Sequence, residues 1–262
     1  MVIMKKYLLL IILIGLLFFC FGFSPHMRVI ARKNAGGAVC SEPAGDVATE
    51  GFEGVGYELG ACGSADCWDE PSTNTTVNED LALSGLSGGV GDDARNCSVG
   101  LQTIYDGNGD NFARLDTGAN TAHPYVEFSV YIDAETITDG QNIPFFIASS
   151  DTSYADYLMA IRVRNFEETF QFEPYQGASD VTSGNISIDT WYYIRIDGSD
   201  AGTCTCRIGT TYNGTDIMND GTFTCGDVTS APRYYWFGQY DGWADTATMI
   251  FGYAAVDDDG TF

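Results

Sequence analysis

Four arginines on strand-like runs, Arg162, Arg164, Arg195 and Arg207, stand out because the chain after Cys40 contains no lysine at all. A guanidinium is a planar fork of donors that pairs in two-pronged fashion with carboxylate or sulfate. Tyr131, Tyr193 and Trp236 hold comparable positions in neighbouring runs, and aromatic faces stack on pyranose rings. Arg162, Arg164, Arg195, Trp236, Tyr193 and Tyr131 therefore make up a candidate ligand-binding set suited to acidic sugars, provided that their strands are neighbours in one sheet. The alternative is cross-strand pairing of these arginines with Glu127 and Glu173, beneath aromatics that merely cover the sheet.

A second candidate is YDGNGDNF, residues 105–112. Asp106, Asn108 and Asp110 stand at alternate positions, as at the start of a calcium loop, where short oxygen side chains converge on a hard cation. The pattern then departs from such a loop, with Asn111 where glycine is expected and Thr117 in place of a bidentate glutamate; a Gly/Asn hairpin turn is the simpler reading. Cys62, Cys67, Cys97, Cys204, Cys206 and Cys225 form an even set that reads as disulfides in an exported chain. If residues 202–226 form a hairpin, Cys225 falls opposite Cys204 or Cys206. A zinc site is disfavoured, because His123 is the one histidine in the body.

These side chains need positions, and the sequence supplies strands. YVEFSVYID (125–133), DYLMAIRVRN (156–165), TFQFEPY (169–175), TWYYIRID (190–197), RYYWFGQY (233–240) and TATMIFGYAAV (246–256) alternate apolar with polar residues between turn clusters. That period of two predicts an all-β sandwich. Side chains two apart share a face. Val126, Phe128, Val130 and Ile132 are thus expected inside, with Glu127, Ser129 and Tyr131 outside. Met159, Ile161 and Val163 point in and Arg162 and Arg164 out; Phe170 and Phe172 in, Gln171 and Glu173 out. Tyr192, Ile194 and Ile196 point in, leaving Trp191, Tyr193 and Arg195 out. Cys204, Cys206 and Ile208 share one face and Thr205 and Arg207 the other. Tyr235 and Phe237 suit the core, with Tyr234, Trp236 and Tyr240 outward.

Several segments together resemble the concanavalin A-like lectin/glucanase superfamily, in particular its laminin G-like jelly-roll domains. They are EGFEG at 50–54, CWDE at 67–70, the YVEFSVYID and TWYYIRID strands, and the closing FGYAAVDDDGTF. The resemblance implies a jelly-roll sandwich of two antiparallel sheets, an opening edge strand lying beside the closing strand, and a habit of binding carbohydrate or protein. Calcium held by rim loops also follows from it as an expectation. The E-x-D-x-E strand of the glucanase branch is absent. A hydrolase or lyase on this fold would require Glu127, Glu173, His123 or Tyr193 to converge in one groove.

Lys5 and Lys6 followed by the apolar run Tyr7–Phe23 read as an export signal or a retained anchor over residues 1–24, with a linker at 25–47 and the sandwich at 48–262. All thirty-six acids follow Cys40 against seven bases, leaving the body at −29. Such a field repels nucleic acid and anionic membrane surfaces, so contact with a membrane is expected only through the N-terminal segment. The expectation is a secreted or cell-surface binding or adhesion module for carbohydrate, with acidic polysaccharide as the candidate ligand class. The competing expectations are an enzyme on the same fold and a structural surface or filament subunit.

Overall fold

The structure, a computed structural model, describes residues 48–50, 67–69, 75–78, 100–105, 111–117, 120–132, 137–152, 157–176, 178–179, 181–200, 202–226, 232–239 and 247–257. The expected signal segment and linker, the calcium-loop residues Asp106, Asn108 and Asp110, and Cys62 and Cys97 lie outside these.

The described residues are strands and connections without a helix. In chain order the strands are β1 (Ala48–Glu50), β2 (Cys67–Asp69), β3 (Thr75–Asn78), β4 (Gly100–Tyr105), β5 (Asn111–Asp116), β6 (Tyr125–Ile132), β7 (Asn142–Ser149) and β8 (Tyr157–Phe166). They continue as β9 (Thr169–Gln176), β10 (Ala178–Ser179), β11 (Asn185–Ile186), β12 (Trp191–Asp200), β13 (Thr203–Gly209), β14 (Met218–Thr224), β15 (Tyr234–Gln239) and β16 (Ala247–Asp257). Sheet A runs β14-β13-β12-β6-β16-β4-β3 with β1 on β16; sheet B runs β10-β9-β8-β7-β15-β5-β2 with β11 on β9. The chain repeatedly switches sheets between successive strands, from β4 to β5, β6 to β7 and β15 to β16, and the strand pairs among the described residues are antiparallel: a two-sheet jelly-roll sandwich. Ala48 of β1 lies opposite Val256 of β16, so the opening strand does sit beside the closing one.

Alternation explains the core. Val126, Phe128, Val130, Ile194 and Ile196 of sheet A meet Met159, Ile161, Val163, Phe172, Tyr235 and Phe237 of sheet B, all buried. Phe128 is the hub, stacked on Phe146 with ring centroids 4.9 Å apart and edge-on to Phe237 at 5.4 Å. Packing of this density is what holds each strand's outward row at a fixed position.

β7 lies in the middle of sheet B, yet no alternation marks it. Its sequence NIPFFIAS buries Ile143, Phe145 and Phe146 together, because a register shift between Pro144 and Phe146 puts two residues where one is expected. A bulge also accommodates a proline inside a sheet, where its missing N–H would otherwise break the ladder.

Candidate functional site

The six candidate residues do not meet on one surface. Arg195 and Tyr193 on β12 and Tyr131 on β6 belong to sheet A; Arg162 and Arg164 on β8 and Trp236 on β15 belong to sheet B. The single groove expected from the sequence is therefore not formed. All six do lie on the sides turned away from the core, as alternation predicted, but those sides are partly covered.

On sheet A the cover is the β13–β14 connection. Tyr212 packs edge-on against Tyr193 at 4.8 Å, and Tyr193 is fully buried. Arg195 donates through Nη1 to Asn213 Oδ1 at 2.9 Å and through Nη2 to the carbonyls of Asn213 and Gly214 at 3.2 and 3.4 Å. The close approach needs two glycines: a Cβ on Gly209 would stand 2.3 Å from the Gly214 carbonyl carbon. Tyr131 is packed by Trp191, with ring centroids 5.5 Å apart, and by Ile250. Arg195, Tyr193 and Tyr131 thus hold a loop and a sheet face together, with Tyr193 and Tyr131 buried beneath their neighbours.

Trp236 is covered as well. It faces away from the core yet is 1% exposed, enclosed in a second apolar cluster with Phe112, Ile147, Ala160 and Tyr175, against which Tyr157 and Tyr234 also pack. Arg114, which the sequence reading did not single out, stands over Tyr234 at 4.9 Å and Trp236 at 5.9 Å. Its signal in the sequence is the alternation Phe112, Arg114, Asp116 on β5, hidden because the run is short and follows directly on a turn-like segment.

Of the six candidates, Arg162 and Arg164 on the outer side of the β8–β9 ribbon stay accessible. Arg162, Arg164 and Phe166 follow at every second residue of β8. Arg162 lies opposite Glu173, and Arg164 opposite Gln171 on one side and Asn142 on the other. Glu173 is 2% exposed and takes Arg162 Nε on Oε2 at 2.5 Å and Arg164 Nη1 on Oε1 at 3.4 Å. The cross-strand pairing set out as the alternative is therefore present. Each guanidinium also lies on a ring, Arg162 on Tyr175 at 4.3 Å and Arg164 on Phe166 at 4.8 Å. The two side chains keep 20% and 32% of their surface, and no second acceptor engages either among the described residues. The Glu173 bond to Arg162 occupies Nε without using that guanidinium's two terminal nitrogens.

Glu127, Glu173, His123 and Tyr193 do not share one groove. Glu127 and Tyr193 face outward from sheet A, Glu173 from sheet B, and His123 is exposed in the turn before β6. Among the described residues no three His, Cys, Asp or Glu side chains are grouped to hold a metal. Cys204 and Cys225 are joined in a disulfide across the β13–β14 hairpin. Cys206 points to the same core face as a buried free thiol, whose pKa burial pushes far up, and it is corrected as a disulfide candidate.

No family model and no curated protein matches the chain. Among solved structures it is similar to the cellulose induced protein Cip1, at 14% identity over 73% of this chain and 88% of that one, with a TM-score of 0.46. It is also similar to the alginate lyase from Klebsiella pneumoniae, at 11% identity over 61% of this chain and 81% of that one, with a TM-score of 0.45. Identities and scores this low assign no activity.

Proposed function

We propose that this chain is an exported, non-catalytic carbohydrate-binding or adhesion module whose contact surface is the outer side of the β8–β9 ribbon, and that it takes acidic polysaccharide. The observation that supports it most is the Arg162–Glu173–Arg164 cluster, in which a buried carboxylate and two rings fix the arginines before any ligand arrives. Pre-organised forks lose little entropy on pairing with a carboxylate or sulfate. They form a cationic island on a body of strongly negative charge, which favours regularly spaced anions reached at short range. Gln171 and Asn185, joined at 3.3 Å beside Arg164, extend the strip with groups that exchange hydrogen bonds with sugar hydroxyls.

The test is retention of the full chain on immobilised polygalacturonate, dextran sulfate and neutral xylan, with calcium and with chelator. Retention on the charged polymers that weakens with salt and drops at least about tenfold in Arg162→Gln/Arg164→Gln supports the reading, tenfold being about 1.4 kcal/mol. Retention equal in the double variant, or no retention at all, overturns it. Binding lost with chelator would move the contact to the acidic loops that include Asp106, Asn108 and Asp110.

A further inference from the structure

The β8–β9 ribbon does not end at its arginines. Phe166 follows Arg164 by two residues, about 7 Å further along the strand, and pairs with Thr169 of β9 as the last rung before the turn. It is 45% exposed, and with Tyr212 it is one of two exposed large apolar side chains among the described residues. The Arg164 guanidinium stands over one side of the ring, 4.8 Å from its centroid. The surface left open is apolar and flat, which suits the C–H face of a pyranose. Past Phe166 the sign of the charge reverses. Glu167 and Glu168 form the turn and are exposed, and Asp139, also exposed, accepts the Glu167 N–H on Oδ1 at 2.6 Å, which puts a third carboxyl at the tip. Glu167 and Glu168 follow the ring at one and two residues, so their charges reach it inside the Debye length of about 8 Å at physiological salt.

The strip therefore runs from two cations through a bare ring to a group of anions. A carboxylated sugar is attracted at Arg162 and Arg164 and repelled beside Phe166, where a neutral sugar meets no such penalty. We propose, resting on the reading of the ribbon as a surface for acidic polysaccharide, that Phe166 is a separate subsite for a neutral sugar and that the ligand is a polymer in which uronic acids and neutral sugars alternate. A uniformly charged chain seated on the arginines brings a further carboxylate against the Glu167–Glu168 turn. The amides agree with this division: Gln171 pairs with Arg164 and Asn185 with Gln171, so they serve the hydroxyls of the charged sugar and not those of its neighbour. Phenylalanine brings no hydroxyl or N–H of its own, and its subsite selects by apolar contact, as with the C–H groups or deoxy methyl of a neutral ring.

The experiment measures Kd of the full chain for size-matched oligosaccharides of polygalacturonate and of two alternating polymers, the rhamnogalacturonan backbone and hyaluronan. The readout is the ratio of Kd values, which cancels any loss of arginine positioning common to all probes. The native chain should hold at least one alternating probe about five- to tenfold more tightly than oligogalacturonate, despite its lower charge, the size of one ring-stacking contact. Phe166→Ala should bring the ratio close to one by weakening the alternating probe more. Glu167→Gln/Glu168→Gln should narrow it from the other side, by strengthening oligogalacturonate. Oligogalacturonate held as tightly as both alternating probes, or tighter, overturns this proposal and leaves the ribbon as a surface for acidic polysaccharide. A preference that both variants leave unchanged overturns it as well. Binding of none of the three overturns the reading of the ribbon and this proposal with it.

Discussion

Arg195 and Asn213 are joined across the outer face of sheet A: Nη1 of the arginine donates to the asparagine Oδ1 at 2.9 Å, and Nη2 donates to the same residue's carbonyl at 3.2 Å. Asn213 adopts φ 60°, in the left-handed region that asparagine tolerates better than most residues. Arg195 therefore serves as the anchor of the β13–β14 connection, with its aliphatic stem buried against the sheet.

Removing that anchor has a stability cost and no cost to the ribbon on the other sheet. Arg195→Met keeps much of the stem and removes the donors, leaving the loop carbonyls to water; the expected loss is about 2–3 kcal/mol in urea unfolding. Asn213→Gly and Asn213→Ala both delete the side-chain acceptor, so their difference isolates backbone strain. The alanine variant should be less stable by about 1 kcal/mol. Equal stabilities would show that the loop shifts out of the left-handed region without penalty.

The β8–β9 hairpin turns on Glu167 at φ 52° and Glu168 at φ 61°, two left-handed residues in succession. That two-residue turn favours Asn-Gly, and side chains with a Cβ strain it. Glu167→Asn with Glu168→Gly should raise stability by about 1–2 kcal/mol, read as an upward shift in the urea midpoint with an unchanged slope. The Glu167 N–H bond to Asp139 Oδ1, at 2.6 Å, involves the backbone and is kept in the variant.

Period-two patterning carried most of the fold into view, because a strand with one face in the core must alternate. β6, β8, β9, β12, β15 and β16 lie within a few residues of the runs read from the sequence, and Phe128, Ile161 and Ile194 point as expected. β7 escaped because a central strand with a bulge buries consecutive residues and shows no period. The site was legible only in part for a different reason. Alternation says which face a side chain takes, but it is silent on which sheet a strand joins and on what folds over that face. Arg162 and Arg195 look equivalent in the sequence, yet they stand on opposite sheets, one on an accessible ribbon and one beneath Asn213 and Gly214. The Glu173 pairing with Arg162 was foreseeable as a cross-strand contact once β8 and β9 were recognised as a hairpin.

The disulfide between Cys204 and Cys225 spans 21 residues and closes the hairpin whose connection Arg195 holds. Loop-closure entropy for a span of that size gives about 3 kcal/mol. Cys204→Ala/Cys225→Ala should lower stability by about that amount. Cys206→Ala removes a buried sulfur from the core and should cost about 1 kcal/mol. Thiol counting under denaturing conditions checks the pairing, and Cys206 should react there before any reductant is added.

Asp216 fastens the other end of the same connection by accepting the Thr210 N–H at 3.0 Å and the Thr210 hydroxyl at 2.8 Å. Burial acts to raise its pKa, but the hydrogen bonds from Thr210 outweigh it and hold the carboxyl below its ordinary 3.8. A carboxylate whose folded pKa is depressed stabilises the fold fully above the unfolded value and loses that contribution as pH falls through the folded one. The β13–β14 connection should therefore hold unchanged at pH 5 and above, begin to loosen only below about pH 4, and do so reversibly. Hydrogen exchange at the Thr210 amide is the measurement. Its protection should fall in that acid window in the native chain, and in Asp216→Asn it should be weaker at neutral pH and show no such step. A Thr210 protection profile that is flat through the window in the native chain would place the hold on this loop with Arg195 alone.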